Sequence, residues 1–374
     1  MGLRLIRGNA LKNMSIHPPN SLIVRVPNWI GDAVMCEPAL RDLRDLFPST
    51  QLFILARPAI GQLFQGHPAI DGILEYDWQG AHKGMVGLLA LVRLVKSKKF
   101  DMAVLFQNAF EAAFIAWGAG IPQRVAYATD GRRYLLTQPV SVSRKGSPHH
   151  MQYYQRMVSE AFFCKPVDRQ PLLILEPEEE TLAARKFSDV FHTPEGMLVG
   201  INPGSVYGSA KRWLPERFAE AANRLMADFR QRCSNGNTPR CVIIGGPGEE
   251  ELGRSVAARL KGEVVMLSGR TTIRELLAVV KRCAIFMTND TGPMHVAQAL
   301  GVPVVAIFGS TDPDSTGPIG QAHGVVRSPV RCAPCLLRAC PIDHRCMTGV
   351  SVEQVLEVAS SQLSKARKWC STPH

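Results

Sequence analysis

The sequence predicts an α/β protein of two Rossmann-type domains, each a parallel sheet with helices on both faces. Three features of the chain predict it. Short apolar runs alternate with amphipathic stretches of helical period along most of the 374 residues, as strand and helix do in a doubly wound sheet. Near the middle, Leu175 to Thr193 carries Pro177 and a run of glutamates, Pro194 follows, and beyond it the alternation starts again. Finally, Ala284 to Gly309 packs a strand, a turn, a short helix closed by Gly301 and a second strand into 26 residues. That spacing is a right-handed βαβ crossover.

These features divide the chain into an extension (1–20), an N-terminal domain (21–176), a linker (177–195), a C-terminal domain (196–350) and a final helix with its tail (351–374). In the first domain, strands are predicted at Ser21–Val26, Gln51–Ala56, Met102–Phe106 and Arg124–Tyr127. Helices are predicted at Ala33–Phe47, around Gly61–Gly66, Met85–Lys96, Glu111–Gly118 and Met151–Phe163. In the second domain the strands are Leu198–Asn202, Cys241–Gly245, Val264–Leu267, Ala284–Met287 and Val302–Phe308. The helices are Pro215–Phe229, Glu249–Leu260, Ile273–Val280, Pro293–Leu300 and Val352–Lys365, with Ser234–Pro239 as a loop insert. Two such sheets place a substrate in the cleft that they face.

Composition narrows the partners. A chain that is 46% hydrophobic and 20% charged buries a core and is not disordered. Its most apolar segment, Met85 to Val95, is too short to span a bilayer and carries Arg93, so it is expected to pack on a sheet. The first twenty residues hold Arg4, Arg7 and Lys12 but no apolar stretch, unlike a secretory signal. The net charge of +11 suits an anionic partner. Scattered basic residues, few aromatics and no helix-turn-helix or RNA-binding signature make nucleic acid the weaker choice. Six isolated cysteines, several inside apolar runs, are the reduced thiols of a cytoplasmic protein.

Four loops that follow strands carry chemistry. In TNDTGPMH, Asp290, Thr291 and Gly292 open a helix whose free N–H groups favour an anion, and His295 lies one turn in. Asp290 and Thr291 are equally ordinary helix-capping residues. In PNWIGDAVM, Asp32 is placed as a general base or as a plain N-cap, and a loop tryptophan, Trp29, is costly to expose unless something stacks on it. In Asn202-Pro203-Gly204-Ser205, running on to Lys211-Arg212-Trp213, Ser205 offers a hydroxyl and Lys211 a mobile point charge to a phosphate. In Gly245 to Glu249, Glu249 is placed to accept hydrogen bonds from ribose hydroxyls. His149 and His150, near Arg144 and Lys145, are either solvated or near an acceptor phosphate.

PNWIGDAVMCEPAL, NPGS with KRW, GGPGEEE and TNDTGPMHVAQALGVPVVAIFGSTDP, in this order, resemble the lipopolysaccharide heptosyltransferases over about Leu22 to Val358. The resemblance implies a GT-B fold and an inverting, metal-independent transfer of heptose from ADP-heptose to an inner-core heptose. It implies peripheral contact with the cytoplasmic face of the inner membrane. It makes Asp32 the base and Lys211 the group that neutralises the departing diphosphate. Ser205, Glu249, Asp290, Thr291, Gly292 and His295 bind the donor beside Lys211, while Asn28, Trp29 and Asn108 line the acceptor side. Cys332, Cys335, Cys340 and Cys346 lie within 15 residues, with His344 among them. They fit a structural zinc, reduced thiols or a labile disulfide, and no cofactor is required. The competing readings are a transferase with another heptose acceptor, a nucleotide-sugar epimerase, and a zinc-dependent nucleic-acid-binding protein.

Overall fold

The computed structural model describes residues 18–142, 149–193, 198–232 and 238–366. The extension as far as residue 17, Arg144 and Lys145, linker residues 194–197, loop residues 233–237 and the tail from 367 lie outside the described residues. The chain forms two compact units, divided between Arg169 and Gln170.

The first unit runs β1 (Ser21–Arg25), α1 (Ile30–Leu46), β2 (Gln51–Ala56), α2 (Pro58–Leu63), β3 (Gly72–Glu75), α3 (Gly84–Ser97), β4 (Met102–Leu105), α4 (Phe110–Gly118), β5 (Gln123–Tyr127), β6 (Gln138–Val140) and α5 (His150–Phe162). Its sheet has the order β3-β2-β1-β4-β5-β6, with every neighbouring pair parallel. The central strands are apolar and buried on both faces, so they read as continuous runs rather than as alternating patterns. Ile23, Leu55, Ala103, Leu105 and Ala126 pack with Leu91, Val95 and Ile115 from α3 and α4 into one core.

The second unit holds α6 (Pro177–Lys186), α7 (Ser188–Phe191), β7 (Leu198–Asn202), α8 (Pro215–Arg232), β8 (Arg240–Ile243), α9 (Glu250–Ala257), β9 (Glu263–Met266), α10 (Ile273–Lys281), β10 (Ile285–Asn289), α11 (Gly292–Ala299), β11 (Val304–Phe308), α12 (Pro313–Thr316), β12 (His323–Arg327), α13 (Arg345–Thr348) and α14 (Val352–Lys365). Its sheet, β12-β11-β10-β7-β8-β9, is again wholly parallel and repeats the strand order of the first. α14 has the bounds that its periodicity predicts, fixed by a capping box between Ser351 and Gln354. The charged segment predicted as a helix and linker is α6 and α7. Glu179, Glu180 and Lys186 of α6 pair with Arg274, Lys281 and Glu275 of α10.

Three strands escape the sequence pattern: β3, β6 and β12. All three are edge strands of three to five residues, and each includes a Gly or Pro (Gly72, Pro139, Gly324). An edge strand has one unpaired side, so a residue that would break a central strand is tolerated there. A second difference concerns α3. The segment expected to pack on the sheet does so with Gly87, Leu88, Leu91, Val92 and Val95, and its opposite face is exposed.

Candidate active site

In each sheet the strand order reverses beside the first strand, between β1 and β4 in one unit and between β7 and β10 in the other. Loops at the carboxyl ends of such a strand pair diverge and leave room for a ligand. Most of the residues singled out in the sequence lie in these four loops.

In the second unit the loops after β7 and β10 are tied together. The Asn202 amide donates to Thr291 Oγ1 at 2.8 Å. Asn289 donates to the Pro203 carbonyl at 2.8 Å, and its Oδ1 accepts from the Trp213 N–H at 3.0 Å. This frame sets Lys211 Nζ 2.5 Å from Asp290 Oδ2, with the two side chains only 12% and 5% exposed. Thr311 Oγ1 donates to the same carboxylate oxygen at 2.7 Å, and the Tyr207 ring lies 4.7 Å from Nζ. Lys211 is therefore not the mobile charge that its loop sequence suggests. Asp290, its carboxylate fixed by Thr311, holds it, and an ammonium has three protons to place. Neither Asp290 nor Thr291 acts as a side-chain cap: Asp290 is an ion-pair partner, and Thr291, the N-cap residue of α11, makes no capping hydrogen bond. Gly292 opens α11, and His295 is buried within it.

Glu249, nearly buried, folds back so that Oε2 accepts the Gly246 N–H at 2.8 Å. Its carboxylate lies against the backbone of the β7 loop, where a Cβ on Gly204 would stand 2.2 Å from it. A glycine is required there by that approach. Several buried polar atoms at these strand ends have no partner among the described residues: Ser205 Oγ, Asn202 Oδ1, Glu249 Oε1, Ser268 Oγ and Ser310 Oγ. Ser268 and Ser310 lie two residues beyond β9 and β11. Orphaned buried polar atoms are rare in folded proteins, and five of them at the carboxyl ends of one sheet describe a polar ligand site. A lysine, hydroxyls and a helix N-terminus suit a diphosphate, while a carboxylate suits hydroxyl donors.

The cysteine-rich segment borders this site. Ala210 donates to the Arg338 carbonyl at 3.0 Å and His344 Nε2 lies 3.0 Å from the Ala210 carbonyl. The Tyr207 hydroxyl donates to the Leu336 carbonyl at 2.6 Å and the Trp213 indole to the Val350 carbonyl at 3.1 Å. Residues 336–350 thus form a strap along the Lys211 loop. The four cysteines are free thiols. Burial pushes the Cys346 thiol up, and the nearby Cys332, Cys340 and Cys335 add to it. Yet among the described residues no group of three or more His, Cys, Asp or Glu side chains is placed to hold a metal ion.

In the first unit, Asp32 is the third residue of α1 and Trp29 its N-cap residue, so the aspartate does not cap the helix. Its Oδ1 lies 3.3 Å from His150 Nδ1 at the start of α5, and both side chains are partly exposed. His150 is thus the carboxylate's partner, while His149 caps α5 by accepting the Met151 N–H. Trp29 is 63% exposed. Asn28 is pinned from two sides: buried Arg25 donates to its Oδ1 at 2.7 Å, and its N–H donates to Gln107 Oε1 at 3.1 Å. Asn108 is similarly engaged, with Oδ1 accepting from buried Arg132 at 2.8 Å and Nδ2 donating to the Tyr153 hydroxyl at 2.8 Å. A partly exposed carboxylate beside an imidazole can take a proton from a hydroxyl that reaches it, and an exposed indole on the same loop offers an apolar face.

The sequence pattern assigns no role to His150 as the partner of Asp32, nor to Asn202, Asn289, Ser268, Ser310 and Thr311. Ser268 and Ser310 carried a signal, since each sits next to a glycine just past a predicted strand. The asparagines are recognisable only once β7 and β10 are known to be neighbours.

The family model for glycosyltransferase family 9 (heptosyltransferase) matches residues 88–345. The chain is 27% identical over 320 residues to lipopolysaccharide heptosyltransferase 2 of Salmonella typhimurium, covering 82% of this chain and 87% of that one. It is 28% identical over 343 residues to lipooligosaccharide heptosyltransferase 2 of Campylobacter jejuni, covering 90% and 97%. Among solved structures, the fold is similar to that of Escherichia coli ADP-heptose LPS heptosyltransferase II, with a TM-score of 0.77 at 23% identity over 93% of this chain and 99% of that one. A family 9 glycosyltransferase from Veillonella parvula gives a TM-score of 0.81 at 24% identity over 94% and 99%. The two sheets are those of the GT-B fold.

Proposed function

The chain belongs to glycosyltransferase family 9, the heptosyltransferases, and on that premise we propose that it moves L-glycero-D-manno-heptose from ADP-heptose to the heptose of the lipopolysaccharide inner core, at the cytoplasmic face of the inner membrane. The second unit takes the donor. Lys211 and the N-terminus of α11 at Thr291 and Gly292 meet the diphosphate, whose charge grows as the sugar bond breaks. Charges aimed at that position stabilise the transition state more than the bound donor. Asp290 and Thr311 orient Lys211, Ser205 adds a hydroxyl, Glu249 accepts from the ribose hydroxyls, and His295 supports α11 from within.

The first unit takes the acceptor. Asp32 removes the proton of the attacking hydroxyl, with His150 holding the carboxylate, and the exposed Trp29 offers a face to the sugar. Asn28 and Asn108 shape this side through the Arg25 and Arg132 networks. One base and one leaving-group site suffice for inversion in a single displacement, and no cofactor is called for.

One observation carries this proposal: the buried Lys211–Asp290–Thr311 cluster beside α11, in a sheet whose strands β7, β8, β9 and β11 leave unpartnered polar atoms at their carboxyl ends. The test is incubation of the purified chain with ADP-heptose and a defined heptose-bearing acceptor, with ADP release and the product linkage as readouts. Stoichiometric ADP and an inverted linkage are expected. Donor binding without transfer to any heptose acceptor would overturn the assignment.

A further inference from the structure

Helix α3 turns an apolar stripe outward. Val86, Leu89, Ala90, Arg93, Leu94 and Ser97 are all exposed, and their spacing of three, one, three, one and three residues is a single helical face. Val86 is 82% exposed, Leu89 41% and Leu94 38%. The opposite face, through Leu91, Val92 and Val95, is buried in the core of the first unit, so the helix is anchored and its outward stripe is left uncovered by the chain's own described residues. Gly118 of α4 abuts Val92, where a Cβ would stand 3.1 Å from Cγ1, and the adjoining Trp117 is exposed.

Charge says what kind of surface would cover the stripe. Arg93 and Lys96 on the helix and Lys83, Lys98 and Lys99 at its ends are exposed, and the helix holds no carboxylate. None of these five cations enters any of the ion pairs found among the described residues. Two copies meeting through this face would oppose cation to cation, which disfavours self-association. An anionic bilayer complements both parts, because apolar side chains enter the acyl boundary while lysine and arginine ammonium and guanidinium groups meet the headgroups. Trp117 has the amphipathic ring that prefers such an interface.

We propose that the outward face of α3, with Trp117 of α4 beside it, docks the protein on the surface of an anionic lipid bilayer. The inference deepens the proposed transfer, on which it rests for the reason a bilayer would be met, by naming the surface that brings the chain to a lipid-borne acceptor.

The test is co-sedimentation of the full chain with vesicles of phosphatidylethanolamine and phosphatidylglycerol, and with vesicles of phosphatidylcholine alone. The wild-type chain is expected to bind the anionic vesicles preferentially and to be released by salt. The pair Val86→Glu with Leu89→Glu should lose binding more than tenfold. The triple Lys96→Gln, Lys98→Gln, Lys99→Gln should weaken it about fivefold per charge removed. Leu182→Glu, an exposed apolar position on α6, should change nothing. All three variants should melt like the wild type, since the altered side chains are exposed. Failure of the wild type to bind anionic vesicles, or binding that survives Val86→Glu with Leu89→Glu, overturns the proposal. So does a wild-type dimer in sedimentation velocity that this pair dissolves, because the covering surface would then be a second copy. Transfer to a delipidated, water-soluble acceptor is followed in parallel and should be unchanged by these variants. If the wild type fails there, the transfer reading falls while the vesicle result stands on its own.

Discussion

The two units share one strand order, yet their loops at the point of reversal are built in opposite ways. In the second unit the charged groups are sunk and locked, with Lys211 and Asp290 paired at 2.5 Å and Asn202 and Asn289 lacing the loops together. In the first, buried Arg25 and Arg132 pin the loop asparagines Asn28 and Asn108, but the side chains proposed to meet the acceptor, Asp32, His150 and Trp29, stay partly or largely exposed. The difference teaches that topology decides only where a site is. A site that grips a diphosphate is served by fixed dipoles and charges, which lose nothing to reorganisation. A base must instead meet an incoming hydroxyl, so its carboxylate has to remain reachable.

The comparison can be broken by experiment. The largest effect is expected from Asp32→Asn, which should lower the transfer rate by roughly 10²–10⁴-fold while ADP affinity by calorimetry stays at the wild-type value. A loss of ADP binding would show that the first-unit site is not separate from the donor site. Lys211→Ala should cut both ADP affinity and rate, the rate by about 10²–10³-fold. It also strands a buried carboxylate, so a thermal melt must accompany the kinetics. Gly204→Ala drives a methyl into the Glu249 carboxylate and should weaken ADP binding about tenfold, with the acceptor KM unmoved. His150→Gln keeps a polar group near Asp32 but loses the imidazole, and a several-fold fall in kcat without change in ADP affinity is expected.

The smallest effect concerns stability. Burial pulls the His323 imidazole, in edge strand β12, down to about 4 from its ordinary 6.5. Between those values the unfolded chain binds a proton that the folded chain refuses. The stability contributed is therefore complete above pH 6.5 and is lost as the pH falls toward 4. Thermal melts across that window should fall with pH in the wild type and less steeply in His323→Gln.

How much was legible in the sequence depends on where a residue sits in its sheet. Central strands such as β1, β7, β10 and β11 are buried on both sides and announce themselves as apolar runs, and the loops behind them follow from that. The motifs around Asp32, Lys211, Glu249 and Asp290 were found this way. Edge strands β3, β6 and β12 were invisible because one free side relaxes the demand on composition. Pairings across the chain were invisible for another reason. Nothing near Lys211 says that Thr311 shares its carboxylate, and nothing near Asp32 says that α5 brings a histidine to it.

The strap across the Lys211 loop has a practical consequence for genetics. Ala210 is held by Arg338 and His344, and Trp213 by Val350, more than 120 residues downstream. If the Lys211 loop grips the donor as proposed, a lesion in this cysteine-bearing stretch, or a bulky adduct on one of its thiols, would surface as a weakened grip on the nucleotide although no atom there need touch it. Screens that map donor defects by position alone would then mistake a brace for a contact.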